Sequence, residues 1–270
     1  MRLTICTKRD IFGCLILNWL LPRLDGHEAC VLLSDKTRPV EENVPELAEL
    51  KLLERDIPLR LIFPLVDQLP RTRSAHLLSF DALAERHAVP VRTVAEINDG
   101  DGAEQLRAFA PDLILSARFS LIFKPPIIEL PKHGIYNIHP GALPRYGGLF
   151  APMRGLLAGD RRLGCTLHRI DAGIDSGPIH SVEYLDVAPA RSLFWHVARL
   201  YPLGLARFVE LLAALKQGRP PALQPQDRAA REYRSLPAPE DFAAFRAAGW
   251  ALVKPEDYVD CLAGFSRSAA

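Results

Sequence analysis

Residues 134–148 read GIYNIHPGALPRYGG, and this stretch decides how the chain folds. Ile135, Tyr136 and Ile138 make a short β-prone run, and Pro140, Gly141, Pro144, Gly147 and Gly148 then impose a rigid, turn-rich loop. Open α/β sheets hold their ligands just beyond the carboxyl ends of the strands, where such a loop would lie. Asn137 and His139 stand two apart at that end, so their side chains project to the same side and can act on one atom.

On the amino-terminal side, strand-like runs alternate with segments of helical length. Residues 3–6 are strand-like and lead through a polar turn at 7–10 into an apolar helical stretch ending near Pro22. Residues 29–34 repeat the strand signal, 45–55 carry helix formers, and 59–65 again read as a strand. A helix at 79–87, a strand at 89–94, a helix at 103–109 and a buried strand at 112–116 follow. This alternation predicts an α/β, Rossmann-like, mostly parallel sheet with helices on both faces.

On the carboxyl side, 152–158 read as a helix and 165–170 and 179–185 as strands. Leu193, Val197 and Leu200, then Phe208, Leu211 and Leu215, mark one face of a helical region over 192–216. Gly204 leaves a gap in that stripe, and with Pro202 beside it predicts a kink or two helices. Pro220, Pro221, Pro225, Pro237 and Pro239 predict an extended crossing segment, with short helices at 242–248 and 255–265. The organisation expected is a catalytic domain over 1–190 and a small helical, Pro-rich carboxy-terminal extension over 191–270.

Composition narrows the function classes. Of 270 residues, 49% are hydrophobic and 24% charged, the balance of a globular protein rather than a disordered or fibrous one. Thirty-three Lys and Arg against 32 Asp and Glu leave a charge of +1, so no global field gathers nucleic acid or an anionic membrane, and neither partner is expected. The opening apolar run at 11–21 is broken by Gly13 and Asn18, is too short to span a bilayer, and lacks a small-residue cleavage site. A cytoplasmic protein is expected. Cys6, Cys14, Cys30, Cys165 and Cys261 are scattered and without paired ligand spacing, which predicts reduced thiols and no metal.

A second stretch, residues 166–178, reads TLHRIDAGIDSGP and places Asp175 between Gly173 and Gly177, which permit close backbone approach. Each residue alone has a plainer role: a turn-forming Asn, a structural His, a capping Asp. Together an amide, an imidazole and a carboxylate suit acyl transfer. The amide stabilises charge on an oxygen, the imidazole moves a proton, and the carboxylate orients or charges the imidazole. No Ser or Cys is required if the nucleophile is the substrate's own amine.

The pair of stretches resembles the folate-dependent formyltransferase family, which includes the glycinamide ribonucleotide, methionyl-tRNA and amino-sugar formyltransferases. Asn137, His139, Leu143, Pro144, Arg145, Tyr146 and Gly147, then Asp171, Ile174, Asp175, Ser176 and Gly177, follow that family's pattern, and the likeness extends over about residues 80–190. The resemblance implies 10-formyltetrahydrofolate as formyl donor and Asn137, His139 and Asp175 as catalytic residues. It also implies a pterin between Phe119, Ser120, Leu121, Ile122 and Phe123 on one side and Ile170, Asp171, Ala172 and Gly173 on the other. Arg145, Tyr146, Gly147 and His168 are the expected acceptor-side residues.

The acceptor is approached by elimination within that resemblance. Glycinamide ribonucleotide enzymes carry a glycine-rich turn after the first strand, where this chain has Thr7, Lys8, Arg9 and Asp10. Methionyl-tRNA enzymes carry a carboxy-terminal barrel and a basic surface, where about eighty Pro-interrupted residues stand here. A small-molecule amine remains, with a nucleotide-linked amino sugar leading and Lys8 and Arg9 meeting its phosphate; hydroxylated ornithine or another amino-acid amine is the competitor. A hydrolase of the same folate and an inactive binding module are the alternatives of other classes. Phe194, Trp195, Leu200 and Tyr201 are candidates either for a homodimer contact or for intramolecular core.

Overall fold

The computed structural model describes residues 1–69 and 76–266. Its main sheet has seven strands in the order β3-β2-β1-β4-β5-β7-β8. Strands β1 (Arg2–Lys8), β2 (Glu28–Ser34), β3 (Val91–Val94), β4 (Leu113–Ala117) and β5 (Ile135–His139) run parallel. β6 (Gly147–Gly148) lies outside this sheet, which β7 (Arg162–Arg169) extends antiparallel to β5 and β8 (Ile179–Asp186) antiparallel to β7. All five residues of β4 are buried because helices cover both faces, and successive side chains serve opposite cores. Leu113 and Leu115 join one cluster with Leu17, Leu83 and Leu205, whereas Ile114 joins the other with Ala103, Leu106 and Ile127. The expected mostly parallel α/β sheet is what forms. Strand order reverses between β1 and β4, and ligand crevices open at such switch points.

The helices are α1 (Ile11–Leu20), α2 (Val40–Asn43), α3 (Pro45–Lys51), α4 (Phe63–Gln68), α5 (Phe80–His87), α6 (Gly100–Phe109), α7 (Pro125–Ile128) and α8 (Ala151–Leu157), then α9 (Leu193–Lys216), α10 (Pro239–Ala247) and α11 (Pro255–Ser266). Asp10 caps α1 by accepting from the Gly13 amide at 2.9 Å. The strand expected over 59–65 is instead helical. π-helical turns at Leu52–Asp56 and Pro58–Ile62 join α3 to α4. A short apolar run does not distinguish strand from helix by period; here Phe63 is buried while Leu61 and Leu65 face outward.

Of the kink or two helices expected at Pro202, the division does not occur: α9 is one helix of 24 residues with Pro202 inside it. Leu200, Tyr201, Leu205 and Phe208 are buried around the proline, and this packing holds the helix despite one missing N–H. Gly204 faces the sheet, where a Cβ would lie 2.5 Å from Ile138 Cγ2 and 3.0 Å from Cys165 Sγ. The gap in the apolar stripe is thus a point of close approach. Phe194, Leu200 and Tyr201 are buried within the chain, with Phe194 4.8 Å from the Phe12 ring, so these three serve the core. After α9 an extended segment crosses the sheet edge, bridges Ile179 through Gln224, and pairs β9 (Tyr233–Arg234) parallel with β6. Among the described residues no helix is long and apolar enough to cross a membrane.

Candidate active site

The ladder between β5 and β7 sets Asn137 opposite His168 and His139 opposite Thr166. His168 Nδ1 lies 3.1 Å from the Arg169 carbonyl, which only accepts, so Nδ1 carries the proton and Nε2 is the acceptor. Asn137 Nδ2 donates to that Nε2 at 3.2 Å, which orients the amide and leaves its second N–H for a ligand. By the same logic His139 Nε2 donates to the Tyr146 carbonyl at 2.6 Å, leaving Nδ1 as the free basic nitrogen. Gly141 makes this possible: a Cβ there would lie 2.6 Å from both His139 Nε2 and Tyr146 O.

Asp175 Oδ2 accepts from the Gly148 amide at 2.8 Å and stands 3.6 Å from His139 Nδ1, while Oδ1 is 3.6 Å from His168 Nε2. Burial pushes this carboxyl up, but the positive charge that His139 and His168 carry when protonated, with the Gly148 amide, outweighs burial and holds it well below the usual carboxylate range. Asp175 is therefore an anion that compensates a proton arriving on His139 Nδ1. Its φ is +51°; Arg118 and Phe150, at +60° and +59°, share this sparsely populated conformation. All three line one cavity, in keeping with the tendency of such backbone to cluster at functional sites.

That cavity is about 930 Å³. Asn137, His139, Asp175, Lys8, Phe119, Ser120, Leu121 and Ile122 line it. Ser120 Oγ is buried there without a partner, and Ile122 is 63% exposed, so this end offers one orphaned polar atom amid apolar surface. Phe123 is buried beneath, stacked 5.5 Å from Phe119. Other expected residues stand outside the lining. Arg9 is drawn to Asp35 at 3.2 Å. Tyr146 donates its hydroxyl to Asp160 at 2.5 Å with Arg145 over its ring, and Gly147 is occupied in pairing with Tyr233. Asp171 folds back to accept from Gly173 N and Ser176 Oγ, so the loop Ile170, Asp171, Ala172, Gly173 delivers only Ile174 and Asp175 to the cavity. His168, 2% exposed, braces Asn137 from behind rather than facing the acceptor space.

The sequence reading missed a second charged cluster in the same wall. Arg118 Nε donates to Asp10 Oδ2 at 2.7 Å, its other end donates to Glu54, and its guanidinium lies 4.6 Å over the Phe12 ring. Burial pushes the Glu54 carboxyl up, more than the attraction of Arg118 lowers it. No spacing rule connects residues 10, 54 and 118, which meet only through tertiary packing. Among the described residues, no group of three or more His, Cys, Asp or Glu could hold a metal.

An open, mostly parallel sheet with an amide, an imidazole and an anionic carboxylate beside one cavity defines an α/β protein whose site has groups able to serve acyl-group chemistry. Residues 71–201 match the family described as formyl transferase, so this region of the chain is similar to that family. A methionyl-tRNA formyltransferase of Kosmotoga olearia is 30% identical over 193 residues, covering 71% of this chain and 61% of that protein. The alignment reaches only about half of the length of other such relatives. Among solved structures, an N-formyltransferase from Helicobacter canadensis, in complex with folinic acid and dTDP-3-aminofucose, superposes with a TM-score of 0.53 and 18% identity, over 88% of this chain and 71% of that one. Glycinamide ribonucleotide transformylase 1 from Symbiobacterium toebii gives 0.56 and 19%, over 84% and 94%. At these identities the structural likeness is one of fold.

Proposed function

We propose that this protein transfers a formyl group from 10-formyltetrahydrofolate to the amine of a small molecule, with Asn137, His139 and Asp175 as its catalytic residues. The observation that carries the reading is the meeting of those three side chains in the wall of one cavity. The apolar end at Phe119, Leu121 and Ile122, with the orphaned Ser120 hydroxyl, fits an aromatic, polar-edged ring such as a pterin. The folate supplies an activated formyl amide. The free Asn137 N–H donates to the formyl oxygen as charge grows there. His139 Nδ1 takes the proton that the attacking amine must lose, and Asp175 stabilises the resulting imidazolium. The new C–N bond replaces the bond to the folate nitrogen, which leaves carrying a proton, so acceptor amine and formyl donor become formamide and tetrahydrofolate.

For the acceptor we favour a nucleotide-linked amino sugar. Lys8, Lys36 and Arg38 line the cavity, and a phosphate would find cationic partners there. The Helicobacter protein, by its description, binds a dTDP-linked amino sugar. Methionyl-tRNA is the second reading, favoured by the naming of the sequence relatives. The cytoplasmic location expected from the sequence goes with either.

The test is to incubate the protein with 10-formyltetrahydrofolate and a panel of dTDP- and UDP-linked amino sugars, hydroxyornithine and charged initiator tRNA. Mass spectrometry should find a formyl adduct of a nucleotide sugar and none of the others. An adduct on tRNA alone would replace the acceptor, and free formate in the absence of any amine would replace transfer with hydrolysis.

A further inference from the structure

Asp175 holds a left-handed backbone conformation that a non-glycine residue adopts only when its surroundings over-determine it. Those surroundings come from the crossing segment after α9. Gln226 Nε2 donates to the carbonyl of Asp175 itself at 3.0 Å and to that of Gly177 at 2.7 Å. Arg231 donates to the Ile174 carbonyl at 2.5 Å. Three carbonyls of the Asp175 turn are thus held from one side by two residues.

The same segment holds the other catalytic loop. The Glu232 carbonyl accepts from Gly147 N at 3.0 Å, and that of Arg234 from Leu149 N at 2.8 Å. Between these two amides lies Gly148, whose N–H reaches Asp175 Oδ2. One strap therefore fixes both ends of the bond that orients the carboxylate. Gln226 keeps its Oε1 buried without a partner, an uncompensated cost that a purely structural position would shed by substitution. Gln226 and Arg231 also lie outside the residues 71–201 that match the family.

We propose that Gln226 is a positioning residue, acting through Asp175 by fixing the turn that aims its carboxylate at His139. The inference rests on the catalytic reading of Asp175 given above. Replacement by leucine keeps much of the side-chain volume and removes both donors.

The experiment is a double-mutant cycle, with formyl transfer from 10-formyltetrahydrofolate to a dTDP-linked amino sugar as the assay, coupled to a crystal structure of Gln226→Leu. In the otherwise native protein Gln226→Leu should lower kcat about tenfold and leave both KM values within about twofold, since aim rather than binding is lost. In an Asp175→Asn background the same change should cost less than about twofold, because the residue acts through that carboxylate. The crystal structure should show the Gly148–Asp175 bond open. An equal loss in both backgrounds, a rise in KM without a fall in kcat, or an intact Gly148–Asp175 bond overturns the proposal. Gln226→Met takes the place of the leucine variant if that protein does not fold. If Asp175→Asn alone leaves turnover unchanged, the catalytic reading falls, while the crystal structure still decides whether Gln226 positions the turn.

Discussion

Two carboxylates face the same cavity and are treated in opposite ways. Asp175 is surrounded by two imidazoles and a backbone amide, and its carboxyl is held down; Glu54 has a permanent guanidinium beside it, yet its carboxyl is pushed up. Burial raises both, and the partners outweigh it only at Asp175. Arg118 divides its charge between Glu54 and Asp10, two buried or half-buried acids that repel one another, whereas Asp175 has two bases to itself. The first arrangement is fixed electrostatics that builds a wall. The second has partners that can gain or lose a proton, which is what proton transfer requires.

Removing the permanent charge should have the largest effect. Arg118→Met strands Asp10 and Glu54 without a counter-charge, and should cost about 3 kcal/mol of folding stability by urea unfolding at neutral pH. A loss below about 1 kcal/mol would erase the distinction between wall and reaction centre. Next in size, His139→Ala should cut turnover by about a hundredfold in protein that still folds cooperatively in urea. Near-native turnover would show that the proton moves elsewhere.

The smallest effect concerns pH. A carboxyl held below its unfolded value, about 3.9 for Asp, contributes stability that is present above that value and is lost as pH falls through the folded one. The stability gap between the parent and Asp175→Asn should therefore be on the order of 1 kcal/mol at pH 7 and should close as pH drops below about 4. A gap that stays constant from pH 7 to pH 3 would mean that the imidazoles do not hold the carboxylate in its charged form.

The same contrast explains what could be read from the chain alone. Asn137 and His139 were legible because two positions on one strand share a side, and Asp175 because its glycine-flanked loop follows a recurrent pattern. The sheet was legible because buried parallel strands are short apolar runs between helical segments. Residues 59–65 were misread because apolar content without length carries no period. Arg145 and Tyr146 sit inside the motif but turn toward Asp160, a partner fourteen or fifteen positions away whose pull no local pattern announces. Arg118, Asp10, Glu54 and Gln226 owe their places to contacts between distant segments, and the polar residues themselves look like ordinary surface ones.

Gly204 has a mechanical consequence. Its missing side chain seats the backbone of α9 directly on Ile138, the residue between Asn137 and His139. The long helix is therefore an anvil under the strand that carries Asn137 and His139, with the Ile138 and Cys165 side chains between that strand region and the main chain of the helix at this point. A single methyl at position 204 would have to lift the helix or bow the strand, and the second movement would shift Asn137 and His139 through Ile138.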